Sequence, residues 1–304
     1  MSVAAKIGKK AILFANGIVN TAVMIIILLL IAIGCYAIWD SDQVFQTANA
    51  SRYELYKPDI KGESKSFAEL QAINPDIFGW ITVYGTHIDY PLVQGADNMH
   101  YVNTNAEGEY SLSGAIFLDN RCSRDFLDFS SVIYGHHMEK QAMFGEIGNF
   151  NDKQYFDARK YGSLYYNGKQ HGLEFFAIFH ADAYDNTVFR TGITDREDQQ
   201  AYLEMLLKIA TNTRDIQVTA DDKIVLLSTC SASSTNGRDI LLGRITDELY
   251  EDTFKTNETE NIIKKILMVD KLTSLWPEIS VWLQFALIGL LFFVRNRFNK
   301  KIKL

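Results

Sequence analysis

The stretch Lys223–Arg244, KIVLLSTCSASSTNGRDILLGR, decides the fold. Lys223 to Thr229 is a run of apolar and β-branched residues between Asp221-Asp222 and a Ser/Thr/Asn/Gly cluster, which reads as a buried strand entering a loop. Arg238 to Arg244 resumes strand character after seven intervening residues, short enough to bring the chain back antiparallel beside the first strand. A lone cysteine, Cys230, then stands at the mouth of the loop, with Arg238 near it.

Short β-like segments dominate the rest of the middle of the chain. They are Trp80–Tyr84, His87–Pro91, Gly114–Leu118, Ser131–Tyr134, Leu164–Tyr166 and Leu173–Ala181. Asn167-Gly168 is a two-residue hairpin signal between two of them. Ser66-Phe67-Ala68-Glu69 has the form of a capping box opening a short helix that ends at Asn74-Pro75. Asp195–Ala210 reads as a helix burying Tyr202, Leu203, Leu206, Leu207 and Ile209. Many short strands with few helices predict a mainly β protein, a closed or nearly closed β-barrel.

The ends of the chain have a different composition. Lys6, Lys9 and Lys10 precede Ala11–Trp39, a charge-free apolar span long enough to cross a bilayer. Ala48-Asn49-Ala50 has the form of a signal-peptidase site, but the apolar core far exceeds the roughly 7–15 residues of a signal sequence, which favours a retained anchor. Ile279–Val294 is a second charge-free run, flanked by Trp276 and Trp282 and followed by Arg295, Arg297, Lys300, Lys301 and Lys303. With both ends basic, the expected topology is a hairpin with both termini cytoplasmic and the middle extracellular. The division is then a tail at 1–10, a span at 11–39, a stalk at 40–66, a catalytic domain at 67–255, a helical linker at 256–275, a second span at 276–294 and a basic tail at 295–304. The membrane is thus an expected partner. The formal net charge of −7, with no basic run outside the termini, argues against a nucleic-acid partner.

Of three cysteines, Cys35 lies in the first apolar span, whereas Cys122 and Cys230 are in the middle. Cys230 is a nucleophile, half of a disulfide with Cys122, or an inert buried thiol. The polar setting of Ser228, Thr229, Ser231, Ser233 and Ser234 favours the first. A nucleophilic thiolate needs a base or a cation beside it. Among six histidines, His136 and His137 stand where the strand Val132–Tyr134 breaks at Gly135; His87, His100, His171 and His180 read as surface or packing residues. Arginine cannot act as the base, but it can donate hydrogen bonds to an oxygen gaining negative charge. Arg244 lies about 20 Å along the strand from Arg238 and reads as structural. Ser228 and Thr229 are candidate substrate-binding residues. No metal or cofactor is expected.

Leu227-Ser228-Thr229-Cys230 followed by Gly237-Arg238, with Tyr134-Gly135-His136-His137-Met138 upstream, resembles the sortase transpeptidases of Gram-positive bacteria. Leu70–Gly95, LQAINPDIFGWITVYGTHIDYPLVQG, and the helix before it resemble class B members, and the likeness covers Phe67–Leu249. It implies a β-barrel with Cys230 as nucleophile, His136 as acid/base and Arg238 as donor to the oxyanion or substrate carbonyl; His137 does not match the family position. The second apolar run is more like the pilus-building class C enzymes, although the Asp-Pro-aromatic lid often found there is missing. The resemblance implies cleavage of a C-terminal sorting signal, a thioester acyl-enzyme and transfer to an amine. That amine is a pilin lysine in pilus assembly or the peptidoglycan cross-bridge in wall anchoring. A noncatalytic surface-assembly factor and a cysteine hydrolase are the alternatives.

Overall fold

The computed structural model describes residues 3–58, 65–230 and 236–254. A long helix α1, Val3–Ala48, leads into a 3-10 turn at Ala50–Tyr56 and a short helix α2, Lys65–Ile73. Strands β1 (Ile77–Val83), β2 (Asp89–Val93), β3 (Ile116–Leu118) and β4 (Ser130–Tyr134) follow. Helix α3 (Lys153–Ala158) precedes β5 (Tyr161–Tyr166) and β6 (Lys169–Asp182). Helix α4 (Arg196–Ile209) and the two-residue β7 (Asn212–Thr213) lead to β8 (Lys223–Cys230) and β9 (Gly237–Thr246).

The strands run in the order β5-β1-β2-β3-β4-β8-β9-β6-β7, and β5 also pairs with β6. That extra pairing closes eight strands into a barrel and leaves β7 as an appendage on β6. The closing hairpin is set by its turn: Asn167 and Gly168 have φ of 49° and 73°, the left-handed pair a type I′ turn requires, and Tyr166 pairs with Lys169 directly across it. The expected closed barrel is what the chain forms.

Two apolar cores lie on the two faces of the sheet. Ile81, Leu92, Ile116, Ile133, Phe175, Val225, Leu227 and Leu241 belong to one cluster drawn from all around the ring, which is the barrel interior. The alternate residues Val132, Ile224, Leu226, Ile240 and Leu242 point outward and pack with Tyr202, Leu203 and Leu206 of α4. Asp195 caps α4 by accepting hydrogen bonds from the amides of Glu197 and Asp198. Ile209, expected in the buried stripe, is exposed at the last position of α4.

The segment expected to be a stalk differs from that reading. Helix α1 continues to Ala48, which is fully buried, and Tyr53 in the following turn is only 3% exposed. Arg52 pairs with Glu107 and Lys57 pairs with Asp89 at 2.6 Å, so residues 48–58 are fastened to the barrel. Tyr53 and Tyr56 supply the apolar surface that a free spacer would lack. Along α1 an 18-residue window has mean hydropathy 2.8 and no burial, long and apolar enough to cross a membrane. The expected linker, second span and basic tail lie outside the described residues.

Candidate active site

Three neighbouring strands bring the candidate residues to one end of the barrel. Strand β4 runs parallel to β8, with Tyr134 opposite Ser228, and the amide of Gly135 donates to the Ser228 carbonyl at 3.1 Å. Two residues further along each chain stand His136 and Cys230. On the other side of β8, the antiparallel ladder with β9 places Cys230 directly opposite Arg238. Residues opposite one another in such a ladder lie about 4.5–5.5 Å apart at Cα and on one face of the sheet. The separations in sequence are long, yet the registers leave the three positions in adjacent strands. For Cys230 the description is confined to the backbone.

His136 is half-buried, and its ring is held from two directions. Its Nε2 lies 2.7 Å from the carbonyl oxygen of Val102. A carbonyl only accepts, so Nε2 carries a proton, and in the neutral ring Nδ1 is the nitrogen left to exchange one. Gly114 closes the seat: with φ of +58°, a Cβ there would stand 2.6 Å from the carbonyl oxygens of Tyr101 and Val102 and 3.0 Å from His136 Cδ2. His137 is exposed and pairs instead with Met143 in an isolated bridge. Only the first of the two candidate histidines borders the cleft.

That cleft has a volume of about 460 Å³ and is bordered by His136, Arg238, Ser228, Thr229, Tyr134 and Arg121. Arg238 is half-buried, with Nη1 3.4 Å from the carbonyl of Gly237. Ser228 and Thr229 are each 1% exposed, and their hydroxyls have no hydrogen-bond partner among the described residues. Strand alternation separates them: Ser228 shares the face of position 230, while Thr229 shares the interior face of Leu227 and Val225. Arg244 is structural, as its spacing suggested. Its guanidinium meets Glu174 at 2.5 Å and the Ile216 carbonyl at 3.2 Å.

Two features of the cleft were not read from the sequence. One is the Val102 carbonyl, a backbone group that no side-chain pattern marks. Another is Arg121, whose Nε and Nη2 donate to the fully buried carboxylate of Asp119 at 2.9 and 2.8 Å. The Tyr134 hydroxyl also donates to Asp119, at 3.1 Å. Burial by itself raises the Asp119 pKa, but hydrogen bonds and charge from Arg121 outweigh it and hold the carboxyl below its usual value. Burial, with the Asp119 charge, pushes the Tyr134 phenol upward, so it stays a neutral donor. The alternation of Asp119 and Arg121 just past β3 was a sequence signal for this clamp.

Cys122 is a buried free thiol, pushed up to about 11 chiefly by burial, so the disulfide alternative for Cys230 is not formed. The other histidines have local roles. His87 Nδ1 meets Glu146 at 2.5 Å, His171 stacks on Tyr166, and His180 lies 3.4 Å from Asp239.

No family model matches the sequence. A curated relative, sortase B of Listeria monocytogenes, is 31% identical over 189 residues, which is 61% of this chain and 76% of the relative. The chain belongs to the sortase B family. It is therefore an enzyme, a cysteine transpeptidase with a class B catalytic domain. Two solved sortases are similar to it in structure as well. Sortase B from the type II pilus of Streptococcus pneumoniae is 48% identical, with a TM-score of 0.53 over 60% of this chain and 99% of that one. A Streptococcus pyogenes class B sortase involved in pilus biogenesis is 41% identical, with a TM-score of 0.54 over 59% of this chain and 97% of that one.

Proposed function

We propose that this sortase assembles pili: it cleaves the sorting signal of a pilin and joins the new carboxyl end to a lysine of another subunit. The chemistry assigns Cys230 as the nucleophile. Its thiolate attacks the carbonyl carbon of the scissile peptide, and the carbonyl oxygen becomes an oxyanion facing Arg238. Collapse breaks the C–N bond, His136 protonates the departing amine, and a thioester remains on Cys230. The acceptor amine gives a proton to His136 and attacks the thioester carbon; collapse forms an amide and returns the thiolate. Ser228, on the same face as position 230 and with a hydroxyl that has no partner among the described residues, would donate to the bound peptide.

The observation that carries this reading is the pair of registers that align His136, Cys230 and Arg238 across β4, β8 and β9. The Val102 carbonyl supports the histidine role, since it fixes the tautomer and orients the ring, as the third member of a catalytic triad does. The pilus assignment is supported by the two pilus sortases at 48% and 41% identity. Membrane anchoring through α1, with the barrel outside the cell, is supported by the burial of Ala48 and by its carbonyl accepting from Tyr90, because cleavage at Ala48-Asn49-Ala50 would remove part of the fold.

The test has two arms. Incubating the full-length protein with a sorting-signal peptide should give a hydroxylamine-sensitive acyl adduct on Cys230, absent from Cys230→Ala. In cells, a pilin partner should form covalent ladders that disappear with the same substitution. A pilin or other surface protein found only on peptidoglycan fragments would assign the cross-bridge as acceptor instead. An adduct on another residue would overturn the nucleophile.

A further inference from the structure

The outer end of α1 grips both segments that seat His136. Tyr90 on β2 is 2% exposed, and its hydroxyl donates to the carbonyl of Ala48, the last residue of α1, at 2.9 Å. The same hydroxyl accepts from the amide of Met143, also at 2.9 Å. Met143 pairs with His137, and the next amide, of Phe144, donates to the carbonyl of His136 at 3.0 Å. A single phenol thus ties the end of the helix to the loop that leaves His136.

That loop is under backbone strain. Lys140, Gln141 and Met143 have φ of 54°, 65° and 53°, left-handed conformations that side-chain-bearing residues avoid and that persist only where surroundings enforce them. Tyr90 is one such restraint. Another is Lys140, whose Nζ lies 4.0 Å from the ring centre of Phe45 on α1 and which borders a notch with Trp39, Ser41 and Asp42. The second segment is held as well. Ser111 Oγ reaches Thr47 Oγ1 at 3.4 Å and Ser113 Oγ at 2.7 Å. The next residue, Gly114, packs on the His136 ring, beside the Val102 carbonyl that holds Nε2.

We infer that the last turn of α1, acting through Tyr90, is a positioning element for the His136 ring and not only a tether. Tyr90 touches no reacting atom and does not border the cleft. The inference rests on His136 being the acid/base. A misplacement on the order of 1 Å at such a group costs about 10²-fold in rate without loss of binding. The device gives the sortase a reason to keep helix and barrel joined: disturbing the end of α1 would slow proton transfer at a site built from other strands.

The experiment uses the full chain in detergent with a fluorogenic sorting-signal peptide. It compares wild type, Tyr90→Phe, Lys140→Ala and His136→Ala. Tyr90→Phe removes the hydroxyl and keeps the packed ring, and we expect kcat to fall roughly 10–100-fold with KM within twofold. The pH limb of kcat that disappears in His136→Ala should also shift in Tyr90→Phe, which a general loss of stability would not produce. Lys140→Ala, an exposed change, should lower kcat roughly 3- to 10-fold by the same positioning loss. Should Tyr90→Phe fail to fold, Lys140→Ala decides the matter alone. A folded Tyr90→Phe, or failing that Lys140→Ala, with wild-type kcat and pH profile overturns the positioning role. An active His136→Ala would instead remove the reading beneath it.

Discussion

Cys230 and Arg238 are direct partners across the β8–β9 ladder, so the guanidinium begins from a backbone position fixed by regular pairing and not from the loop between the strands. A planar fork of donors fixed in this way differs from a mobile ammonium. If Arg238 donates directed hydrogen bonds to the oxyanion, Arg238→Ala should lower the acylation rate roughly 10²–10³-fold, about 2.7–4 kcal/mol. Arg238→Lys should recover little of it. A lysine variant within about fivefold of wild type would mean that charge alone suffices, through its effect on the thiol.

Arg244 provides the internal control. It sits on the same strand but is bound to Glu174 and the Ile216 carbonyl, with its side chain 23% exposed. Arg244→Ala should lower stability by about 1–3 kcal/mol, since Glu174 and the carbonyl lose their donor. Acylation per folded molecule should stay near wild type. A large fall in that rate with unchanged Tm would place Arg244 in the chemistry and undo the assignment.

The adjacent histidines separate on exposure and partners. His136→Ala should reduce acylation roughly 10²–10⁴-fold, the usual contribution of a positioned acid/base. His137→Ala should keep most of the rate, because its ring is exposed and borders no part of the cleft. The reverse pattern in the same peptide assay would reassign the motif.

How much of this was legible depended on whether a residue advertises its own backbone. The β5–β6 closure was readable because Asn167-Gly168 favours one turn type, and β8 and β9 because an apolar run is interrupted by a polar loop. Strand ends were less so. The sequence placed a strand at His87–Pro91, but the amide of Val83 donates to the Ile88 carbonyl across a tight turn, and β2 begins only at Asp89. At the site, Cys230, His136 and Arg238 carry recognisable neighbours. The Val102 carbonyl does not, since any residue has one, and its role follows only from how Gly114 lets the two loops approach. The fastening of residues 48–58 was missed for a similar reason: two tyrosines in a polar stretch have no periodicity to mark which face is buried.

Cys122 should not compete with Cys230. Burial favours its neutral form, so at pH 8 a thiol pushed up to about 11 is almost wholly protonated. In native Cys230→Ala protein, iodoacetamide at pH 8 should leave the Cys122 peptide unmodified, and denaturant should expose it. The pH dependence has a definite sign. A thiol whose pKa is higher folded than unfolded contributes stability that is complete below the unfolded value and is lost as pH rises from there through about 11. Alkylation of Cys122 in the native protein at the rate of a free thiol would contradict its burial.

Asp119 ties the barrel end to the cleft, and its removal should be felt in both. Its carboxylate is fully buried and accepts from the Arg121 side chain and amide and from the Tyr134 hydroxyl. Asp119→Asn keeps the shape but removes the charge, and its amide nitrogen offers a donor where donors already point. The expected cost is about 1–3 kcal/mol, because Arg121 is half exposed and water can solvate the cation left behind. For a domain of this size that is a fall in Tm of roughly 2–10 °C. The acid limb should change too. A carboxyl held below its usual pKa in the fold contributes stability that is complete above the unfolded value and is lost as pH falls through the folded one. Thermal melts from neutral pH down to about pH 3 should therefore show wild type losing its advantage over Asp119→Asn as the acid end is approached. A constant gap between the two proteins across that range would mean that the stabilisation comes from shape and not from the ionised carboxylate. Because Arg121 and Tyr134 both border the cleft, Asp119→Asn should also raise KM for the sorting-signal peptide while leaving Cys230 able to react with iodoacetamide.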